Sequence, residues 1–302
     1  MSTVALELVP PELDGGTDRA GRETCTAAEH CRRHGLLGRV SHVMVPGIVA
    51  EDSGRPVPLA PRMDVLDFWA TVRPALGPVA GLCTQVTVFH DEHLLADRVR
   101  RLRAAGIDGI TFVGKPHGVP ATAAAGVSPQ DALTRFRDLV PHRGVVLIPT
   151  RRGEIDRFAG KCDRGATFAL TQLLYSDRIV DFLQTFAARS AHRPEILLSF
   201  GFVPHMERQV RLIDWLIHDT GNELVRSEQE FVAHAAAGSP GQRRRVLVDL
   251  YRRVVDGARE LGFPLGVHLE SPYGVSDAAC ATFAEMLDHW SPAPPPLTCD
   301  SR

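Results

Sequence analysis

Short hydrophobic runs alternate with longer stretches of helical periodicity along nearly the whole chain. The short runs are rich in β-branched residues and are bounded by glycine, proline or polar residues, which is typical of strands. They predict eight strands, at residues 4–9, 40–45, 81–88, 109–113, 144–149, 167–172, 195–200 and 264–269. Apolar residues spaced by three and four positions predict helices around residues 23–34, 64–76, 92–105, 128–140, 154–164, 176–190, 206–218, 242–261 and 278–289.

The residues at the ends of these segments agree with this division. Ser128 and Ser176 can each begin a helix, because a serine side chain accepts a hydrogen bond from a free backbone N–H. Gly106, Gly165 and Gly262 each separate a helical pattern from the next strand, as helix-terminating glycines do. Eight strands alternating with at least eight helices in 302 residues predict an α/β fold, the (β/α)8 TIM barrel.

A doubly wound parallel sheet is the alternative architecture. It would place a phosphate-binding glycine pattern after an early strand, and the chain contains neither G-x-G-x-x-G nor a Walker loop. We therefore predict one catalytic barrel domain over residues 1–290, with a small helical insertion at residues 220–242 before the last strand. Residues 291–302 are rich in proline, have lost hydrophobic periodicity and are predicted to form a disordered tail.

The charge balance limits the classes of partner. The chain has 34 lysines and arginines against 36 aspartates and glutamates, which argues against nucleic acid or an anionic membrane as the main partner. No apolar run approaches the roughly 20 residues needed to cross a bilayer, and no signal peptide is visible. The six cysteines lack C-x-x-C and zinc-ligand spacing. We expect mostly reduced thiols in a cytoplasmic protein, a monomer or small homo-oligomer that acts on a small molecule.

The carboxyl ends of barrel strands carry the chemistry of this fold, and here they are rich in groups that exchange protons. In the first strand, Leu6 and Leu8 point to one side while Ala5, Glu7 and Val9 point to the other, because side chains alternate. Burial would raise the pKa of the Glu7 carboxyl and prepare it to give a proton. A salt bridge to an arginine at the strand end is the alternative for this residue.

Several segments resemble the methylenetetrahydrofolate reductases. Residues 6–11 read L-E-L-V-P-P and are similar to the F-E-F-F-P-P segment that carries a catalytic glutamate in the first strand of that family. Residues 165–177 read G-A-T-F-A-L-T-Q-L-L-Y-S-D and resemble its G-A-D-x-x-x-T-Q-x-F-F-D strand, whose glutamine hydrogen-bonds the pterin. Residues 196–204 resemble its I-x-P-G-I-x-P segment, and residues 85–87 lie where it has H-L-T. The resemblance covers nearly the whole chain in order.

The resemblance implies reduction of 5,10-methylenetetrahydrofolate to 5-methyltetrahydrofolate. Opening the one-carbon bridge of this substrate needs a proton on N10 and leaves an N5 iminium cation that accepts hydride. Glu7 is implied as the general acid that assists the opening, and its carboxylate can stabilise the cation. Gln172 offers a donor and an acceptor to the pterin edge, and Phe202 can stack on an aromatic ring of the folate. Gln85 and Thr87 complete the substrate-binding residues that the aligned motifs imply.

Three segments depart from the family at its cofactor contacts. Where the family holds flavin with L-R-G-D, residues 112–116 read F-V-G-K-P. Residues 148–153 read I-P-T-R-R-G in place of a tyrosine and a histidine-proline pair, and residues 267–273 read V-H-L-E-S-P-Y in place of an aromatic residue and L-N-R. We therefore expect NADH or NADPH to take the place of the flavin and to pass hydride directly to the folate, and FAD is not expected. This agrees with an actinobacterial branch of the family regarded as flavin-independent.

Residues after the fourth and fifth strands are assigned to the dinucleotide. Gly114 is expected to serve a backbone turn or a close approach of ligand. Lys115, Thr150 and Arg151 complete the predicted cofactor-binding residues, because the dinucleotide phosphates, like the glutamate tail of folate, are anionic.

His268 and Glu270 lie two apart on one strand and therefore project to the same face. An H-x-E pair can ligate a metal, but the P-C-x-x-C and H-x-H partners are absent from the chain. We predict no metal and assign both residues to the substrate site, near the folate or the nicotinamide.

Three other functions stay open at this point. The first is an FAD-dependent reductase of the same family with rearranged flavin contacts. The second is another one-carbon reaction on the same site, such as methyl transfer from methyltetrahydrofolate. The third is a non-catalytic folate-binding barrel that has lost its cofactor.

Overall fold

The closed parallel barrel predicted from the sequence is confirmed. The computed structural model describes residues 2–49, 60–115, 124–201, 222–271 and 274–290. Its strands pair in chain order, and the first also pairs with the last, so the sheet closes on itself. They are β1 (Val4–Glu7), β2 (His42–Val45), β3 (Ala80–Val86), β4 (Ile107–Val113), β5 (His142–Leu147), β6 (Phe168–Thr171), β7 (Glu195–Gly201) and β8 (Leu265–Glu270).

Helices alternate with the strands and form the outer layer. Within the described residues they are α1 (Gly16–Arg33), α2 (Val65–Leu76), α3 (Glu92–Ala104), α4 (Pro129–Arg135), α5 (Glu154–Asp163), α6 (Arg178–Arg189), α7 (Glu223–Ala237), α8 (Pro240–Arg259) and α9 (Asp277–Trp290). The helix α7 lies in the predicted insertion at residues 220–242. The predicted helix at residues 206–218, the predicted tail at 291–302 and Phe202 lie outside the described residues.

Two helices differ from the predicted bounds by more than two residues, for identifiable reasons. The helix α1 begins at Gly16 rather than near residue 23. Hydrophobic spacing does not reveal its first two turns, because they are almost wholly polar and contribute only Ala20 to the core. The helix α4 ends at Arg135 rather than near residue 140. Beyond the end of α4, the buried guanidinium of Arg143 donates to the carbonyls of Val140 and three other residues. These carbonyls are therefore satisfied without the hydrogen bonds that a longer helix would provide.

Strand side chains divide into an outward set under the helices and an inward set that fills the barrel. Gly144 faces inward, and a Cβ there would lie 2.3 Å from Cζ of Phe168, so the barrel interior is filled at this level. The apolar residues that fill it are Ala5, Met44, Leu82, Phe168, Leu170 and Leu197. This apolar filling forms a floor with inward polar side chains on both sides of it: Glu7 lies toward the carboxyl ends of the strands, and Glu195 lies toward the amino ends.

The described part of the chain also bears on the cysteines and on membrane crossing. Its five cysteines, Cys25, Cys31, Cys83, Cys162 and Cys280, are free thiols. None of its helices combines the length and the apolar character that a membrane span requires.

Candidate active site

Glu7 is the last residue of β1 and faces into the barrel. It shares a face with Ala5, which belongs to the apolar floor, and it pairs in register with Met44 of β2. Only 12% of its side-chain surface is exposed. Burial raises the pKa of this carboxyl well above its ordinary value, and the negative charge of Glu270 raises it further. The predicted inward, buried position of Glu7 is therefore confirmed, and no arginine forms an ion pair with it among the described residues.

Closure of the barrel brings β8 beside β1 and with it two more titratable side chains. His268 Nε2 lies 3.9 Å from Oε2 of Glu7, and His268 Nδ1 lies 3.1 Å from Oε1 of Glu270. Oγ of Ser199, on β7, lies 3.0 Å from His268 Nδ1. The imidazole is 99% buried, since 1% of its side-chain surface is exposed. We call Glu7, Ser199, His268 and Glu270 the Glu7 cluster.

The side chains of the Glu7 cluster are better placed to exchange protons than to ligate a metal ion. Ligand atoms of Glu7, His268 and Glu270 lie within 4.8 Å of one another, a spacing that an ion could bridge. However, Nδ1 of His268 is already within hydrogen-bond distance of Glu270 and Ser199. The two ring nitrogens point in diverging directions, so one ion cannot take Nε2 beside Glu7 and also the Glu270 oxygen that contacts Nδ1. We therefore treat the Ser199–Nδ1 contact as a hydrogen bond and the contacts of the imidazole with the two carboxyl groups as electrostatic ones.

Gln172 reaches the same end of the barrel from β6. It follows Thr171 directly, and its backbone N–H donates to the carbonyl of Leu147 at 2.8 Å, which continues the strand ladder by one residue. The alternation that points Phe168 and Leu170 inward also points Gln172 inward. Among the described residues, none exchanges a hydrogen bond with its side-chain amide. Its role in binding substrate stays a prediction.

The structure directs Gln85 away from the site. Its Nε2 donates to the carbonyl of Val86 at 2.8 Å, and Nε of Arg98 on α3 donates to its Oε1 at 3.3 Å. Gln85 shares the outer face of β3 with Cys83. The predicted role of Gln85 in substrate binding is therefore corrected, because its side chain does not face the barrel interior. Thr87 is fully buried, and its hydroxyl donates to the carbonyl of Val113 at 3.4 Å, which ties β3 to β4.

Gly114 and Lys115 follow β4 at the same end of the barrel. Gly114 does not have a positive φ, and a Cβ there would make an ordinary contact of 3.5 Å with Cγ of Pro129. The described backbone therefore does not require glycine at this position, and the predicted turn and the predicted close approach of ligand both stay predictions. Lys115 is exposed.

Thr150 and Arg151 follow β5 and line a cleft of ≈ 300 Å³. Thr150 is buried, its hydroxyl donates to Oε2 of Glu228 at 3.4 Å, and its carbonyl accepts from Nδ2 of Asn222 at 2.6 Å. The hydroxyl and the carbonyl of Thr150 are thus both engaged, the first by Glu228 within α7 and the second by Asn222 just before α7 begins. Half of the Arg151 side chain is exposed, and its Nη1 lies 4.0 Å from Oε2 of Glu154. Of these two cofactor candidates, Arg151 has the freer side chain.

Glu228 and Ser199 are the polar residues that the sequence prediction missed. Glu228 is buried in α7 beside Thr150 and Ser176, whose hydroxyl donates to its Oε1 at 3.1 Å. Burial raises the pKa of Glu228 to about 7. Its signal in the sequence is its helical spacing from the buried residues Val225 and Val232, which places a carboxyl on the apolar face of α7.

Comparison with solved structures identifies barrels of the same fold at low sequence identity. An uncharacterised protein from Clostridium thermocellum, which binds two copies of 5-methyl-5,6,7,8-tetrahydrofolic acid, is 16% identical with a TM-score of 0.67, and 96% of each chain is covered. A riboflavin lyase with modified FMN and riboflavin is 12% identical with a TM-score of 0.58, covering 97% of this chain and 93% of that one. EDTA monooxygenase from Chelativorans sp. BNC1 is 14% identical with a TM-score of 0.51, covering 96% and 94%.

Sequence comparison adds the family. Comparison with curated protein sequences finds no match. Residues 1–294, however, match the profile of the family described as mycobacterial methylenetetrahydrofolate reductase. This match spans all eight strands and includes every residue of the Glu7 cluster. The chain therefore belongs to the mycobacterial methylenetetrahydrofolate reductase family.

Proposed function

We propose that this protein reduces 5,10-methylenetetrahydrofolate to 5-methyltetrahydrofolate by direct hydride transfer from NADH or NADPH, without flavin. The observation that carries the proposal is Glu7, a buried carboxyl at the mouth of the barrel whose pKa is raised well above its ordinary value by burial, which favours the protonated form that a general acid needs. Membership of the family supplies the substrate class. Binding of 5-methyltetrahydrofolate by the related barrel from Clostridium thermocellum supports it, because that ligand is the product of the proposed reaction.

The reaction needs one proton and one hydride, and they act at different atoms. Glu7 gives its proton to N10, the bond between N10 and the methylene carbon breaks, and an N5 iminium cation forms. The methylene carbon then accepts a hydride from the reduced nicotinamide and becomes the N5-methyl group, while the nicotinamide is oxidised. Glu7 is left as a carboxylate next to the reacting atoms, where it can stabilise the cation, and it regains a proton from solvent after turnover.

The remaining candidate side chains fit the two substrates. Gln172 can pair with the pterin edge, because its amide has both a donor and an acceptor. Lys115 and Arg151, after β4 and β5, supply positive charge for dinucleotide phosphates or for the glutamate tail of the folate. The sequence after β4 lacks the arginine and the aspartate of the L-R-G-D segment, and this departure supports a site without flavin.

Two measurements on purified protein test this proposal. The absorption spectrum is expected to contain no flavin bands, and addition of methylenetetrahydrofolate is expected to start oxidation of NADH or NADPH. A bound flavin that turnover requires would contradict direct transfer, and the absence of nicotinamide oxidation would favour methyl transfer or a binding role.

The substitution Glu7→Gln tests the proton donor. It keeps the shape of the side chain and removes the acidic proton, so turnover should fall by about 10²- to 10⁴-fold while binding of 5-methyltetrahydrofolate persists. Glu29→Gln, an exposed glutamate on α1, is the matched control and should keep full turnover. Unchanged turnover of the Glu7 variant would exclude Glu7 as the general acid.

A further inference from the structure

We infer that a cavity between β1 and α1 holds the glutamate end of the folate, and that Arg22 and Arg62 bind its carboxylates. The inference deepens the proposed function and rests on it for the identity of the folate. We call this cavity the tail cavity. It binds a part of the substrate that lies away from the reacting atoms and takes no part in the transfer of the proton or the hydride.

The tail cavity adjoins Glu7 at the carboxyl end of β1. Its volume is ≈ 530 Å³, which is in the usual range for small-molecule sites. Leu8 and Val9, the two residues after Glu7, form part of its wall. Leu8 continues the strand ladder, so Val9 lies on the same face of the chain as Glu7. Two residues span at most about 7 Å, so this wall begins close to the atoms that Glu7 protonates.

The orientation of the pterin directs the rest of the folate toward the tail cavity. The pterin edge that Gln172 can pair with is at one end of the bicyclic ring, and the carbon through which N10 is attached is at the other. With that edge at Gln172 on β6 and N10 at Glu7 on β1, the folate runs across the barrel mouth from β6 to β1. The benzoyl and glutamate groups lie beyond N10, so they leave the mouth on the β1 side. The strands β4 and β5, assigned to the dinucleotide, lie across the barrel from β1.

Two arginines of the tail cavity have N–H groups that the protein does not use. Arg22, on α1, is exposed and forms no hydrogen bond or ion pair within the described part of the chain. Arg62 donates through Nη1 to the carbonyl of Pro10 at 3.2 Å, and its Nη2 lies 3.5 Å from Oε1 of Glu12. Its Nε, however, is buried and has no partner among the described residues. A buried N–H without an acceptor costs free energy, and a carboxylate of the ligand would supply that acceptor.

The other charges of the cavity restrict the anion that it can accept. Three arginines line it, Arg19, Arg22 and Arg62, against the two glutamates Glu12 and Glu23, so the lining has a net positive charge. Nε of Arg19 donates to Oε1 of Glu23 at 2.7 Å, and its Nη1 lies 3.9 Å from Oε2 of Glu12. These glutamates would repel a compact, multiply charged pyrophosphate more strongly than the separate single charges of two carboxylates. The tail cavity therefore fits glutamate better than the phosphates of a dinucleotide.

Part of the lining is apolar, which suits the group that joins the pterin to the glutamate. Leu8, Phe68 and Val275 are buried and line the tail cavity. The benzoyl ring of a folate can bury apolar area against these side chains. Apolar and cationic surfaces in one cavity thus match a p-aminobenzoyl-glutamate, which consists of an aromatic ring followed by two carboxylates.

Folates with and without glutamate test the inference on the wild-type protein. Isothermal titration calorimetry compares 5-methyltetrahydrofolate with 5-methyltetrahydropteroate, the same compound ending at the benzoate. The dissociation constant of the pteroate should be about tenfold higher or more, because it cannot place two carboxylates on the arginines. Equal dissociation constants would overturn the inference, since no part of the protein would then recognise the glutamate.

The substitution Arg22→Gln locates the glutamate. It removes the charge of an exposed side chain, so the variant should fold as the wild type does. Its dissociation constant for 5-methyltetrahydrofolate should rise about three- to tenfold, whereas that for the pteroate and the KM for NADH or NADPH should stay unchanged. Arg32→Gln is the matched control, because Arg32 is exposed in the last turn of α1 and does not line the cavity. This control should bind both folates as the wild type does.

The remaining outcomes separate failure of the inference from failure of the proposed function. An unchanged dissociation constant in Arg22→Gln, or an equal loss in Arg32→Gln, would overturn the inference. So would a raised KM for NADH or NADPH with folate binding unaffected, because the cavity would then hold the dinucleotide phosphates. Failure of the proposed function gives a different result: the wild type would show no methylenetetrahydrofolate-dependent nicotinamide oxidation, while the preference for the glutamate and its loss in Arg22→Gln would persist.

Discussion

The buried carboxyl of Glu228 should make the stability of this protein depend on pH in a predictable direction. Burial raises its pKa from the ordinary 4.5 to about 7, against the opposing effect of hydrogen bonds from Ser176 and Thr150. Between these two pH values the folded protein keeps a proton that the unfolded chain has lost. The free energy of unfolding should therefore fall as pH rises from about 4.5 to about 7 and change no further above that, as far as this group is concerned.

The size of the effect follows from the shift. At about 1.36 kcal/mol for each pKa unit, a rise from 4.5 to about 7 corresponds to about 3 kcal/mol. This is the penalty of holding an ionised Glu228 in the folded state, and it is absent below the unfolded pKa. Glu228→Gln keeps hydrogen-bonding atoms at the same place but cannot ionise. Relative to wild type, the variant should therefore gain up to about 3 kcal/mol of stability between roughly pH 4 and pH 8.

Denaturation with guanidinium chloride at a series of pH values measures this difference directly. Glu230→Gln is the matched control, because Glu230 is exposed on the same helix, and its stability curve should stay parallel to that of wild type. Parallel curves for wild type and Glu228→Gln across the whole range would refute the reasoning. They would mean that water reaches Glu228 or that α7 moves to solvate the ion.

Two further changes test the packing of the barrel and the candidate pterin contact. Gly144→Ala would bring a Cβ to 2.3 Å from Phe168 and should lower the free energy of unfolding by about 1–3 kcal/mol. Gly160→Ala lies in the middle of α5 with free space around the added Cβ, and it should raise the free energy of unfolding by about 0.5–1 kcal/mol. Thermal denaturation compares the two, and equal melting temperatures would contradict the filled interior. Gln172→Leu should raise KM for methylenetetrahydrofolate about tenfold with little change in kcat, because it removes hydrogen bonds worth about 1.4 kcal/mol. Steady-state kinetics measures this, and a lowered kcat at unchanged KM would argue against a binding role.

The face on which a side chain lies was only partly predictable. In β1 the prediction succeeded: Glu7 and Ala5 face the interior together. In β3 it failed, because barrel strands are buried on both faces and an apolar run does not tell which face is the inner one. The aligned motif predicts Gln85 in the site, but its amide lies on the outer face against Arg98.

The Glu7 cluster shows the same limit at the level of the site. Glu7 and His268 lie 261 positions apart in sequence, and only the pairing of β1 with β8 makes them neighbours. Ser199 is a single polar residue in an apolar strand, and the sequence gives no sign that it contacts an imidazole. The burial of Glu228 likewise depends on how α7 packs against the ends of β5 and β6, although its helical spacing was a usable signal.

By itself the sequence determined the order of the eight strands and of the α-helices between them in the described part of the chain, since hydrophobic spacing and the residues at element ends are local properties of the chain. It also determined that a carboxyl ends the first strand on the face opposite to Leu6. Only the tertiary structure decided which faces turn inward, which carboxyl groups lie against His268 and which polar side chains are buried. These are consequences of the register in which distant strands close the barrel, and register is fixed by packing over the whole sheet rather than by any one segment.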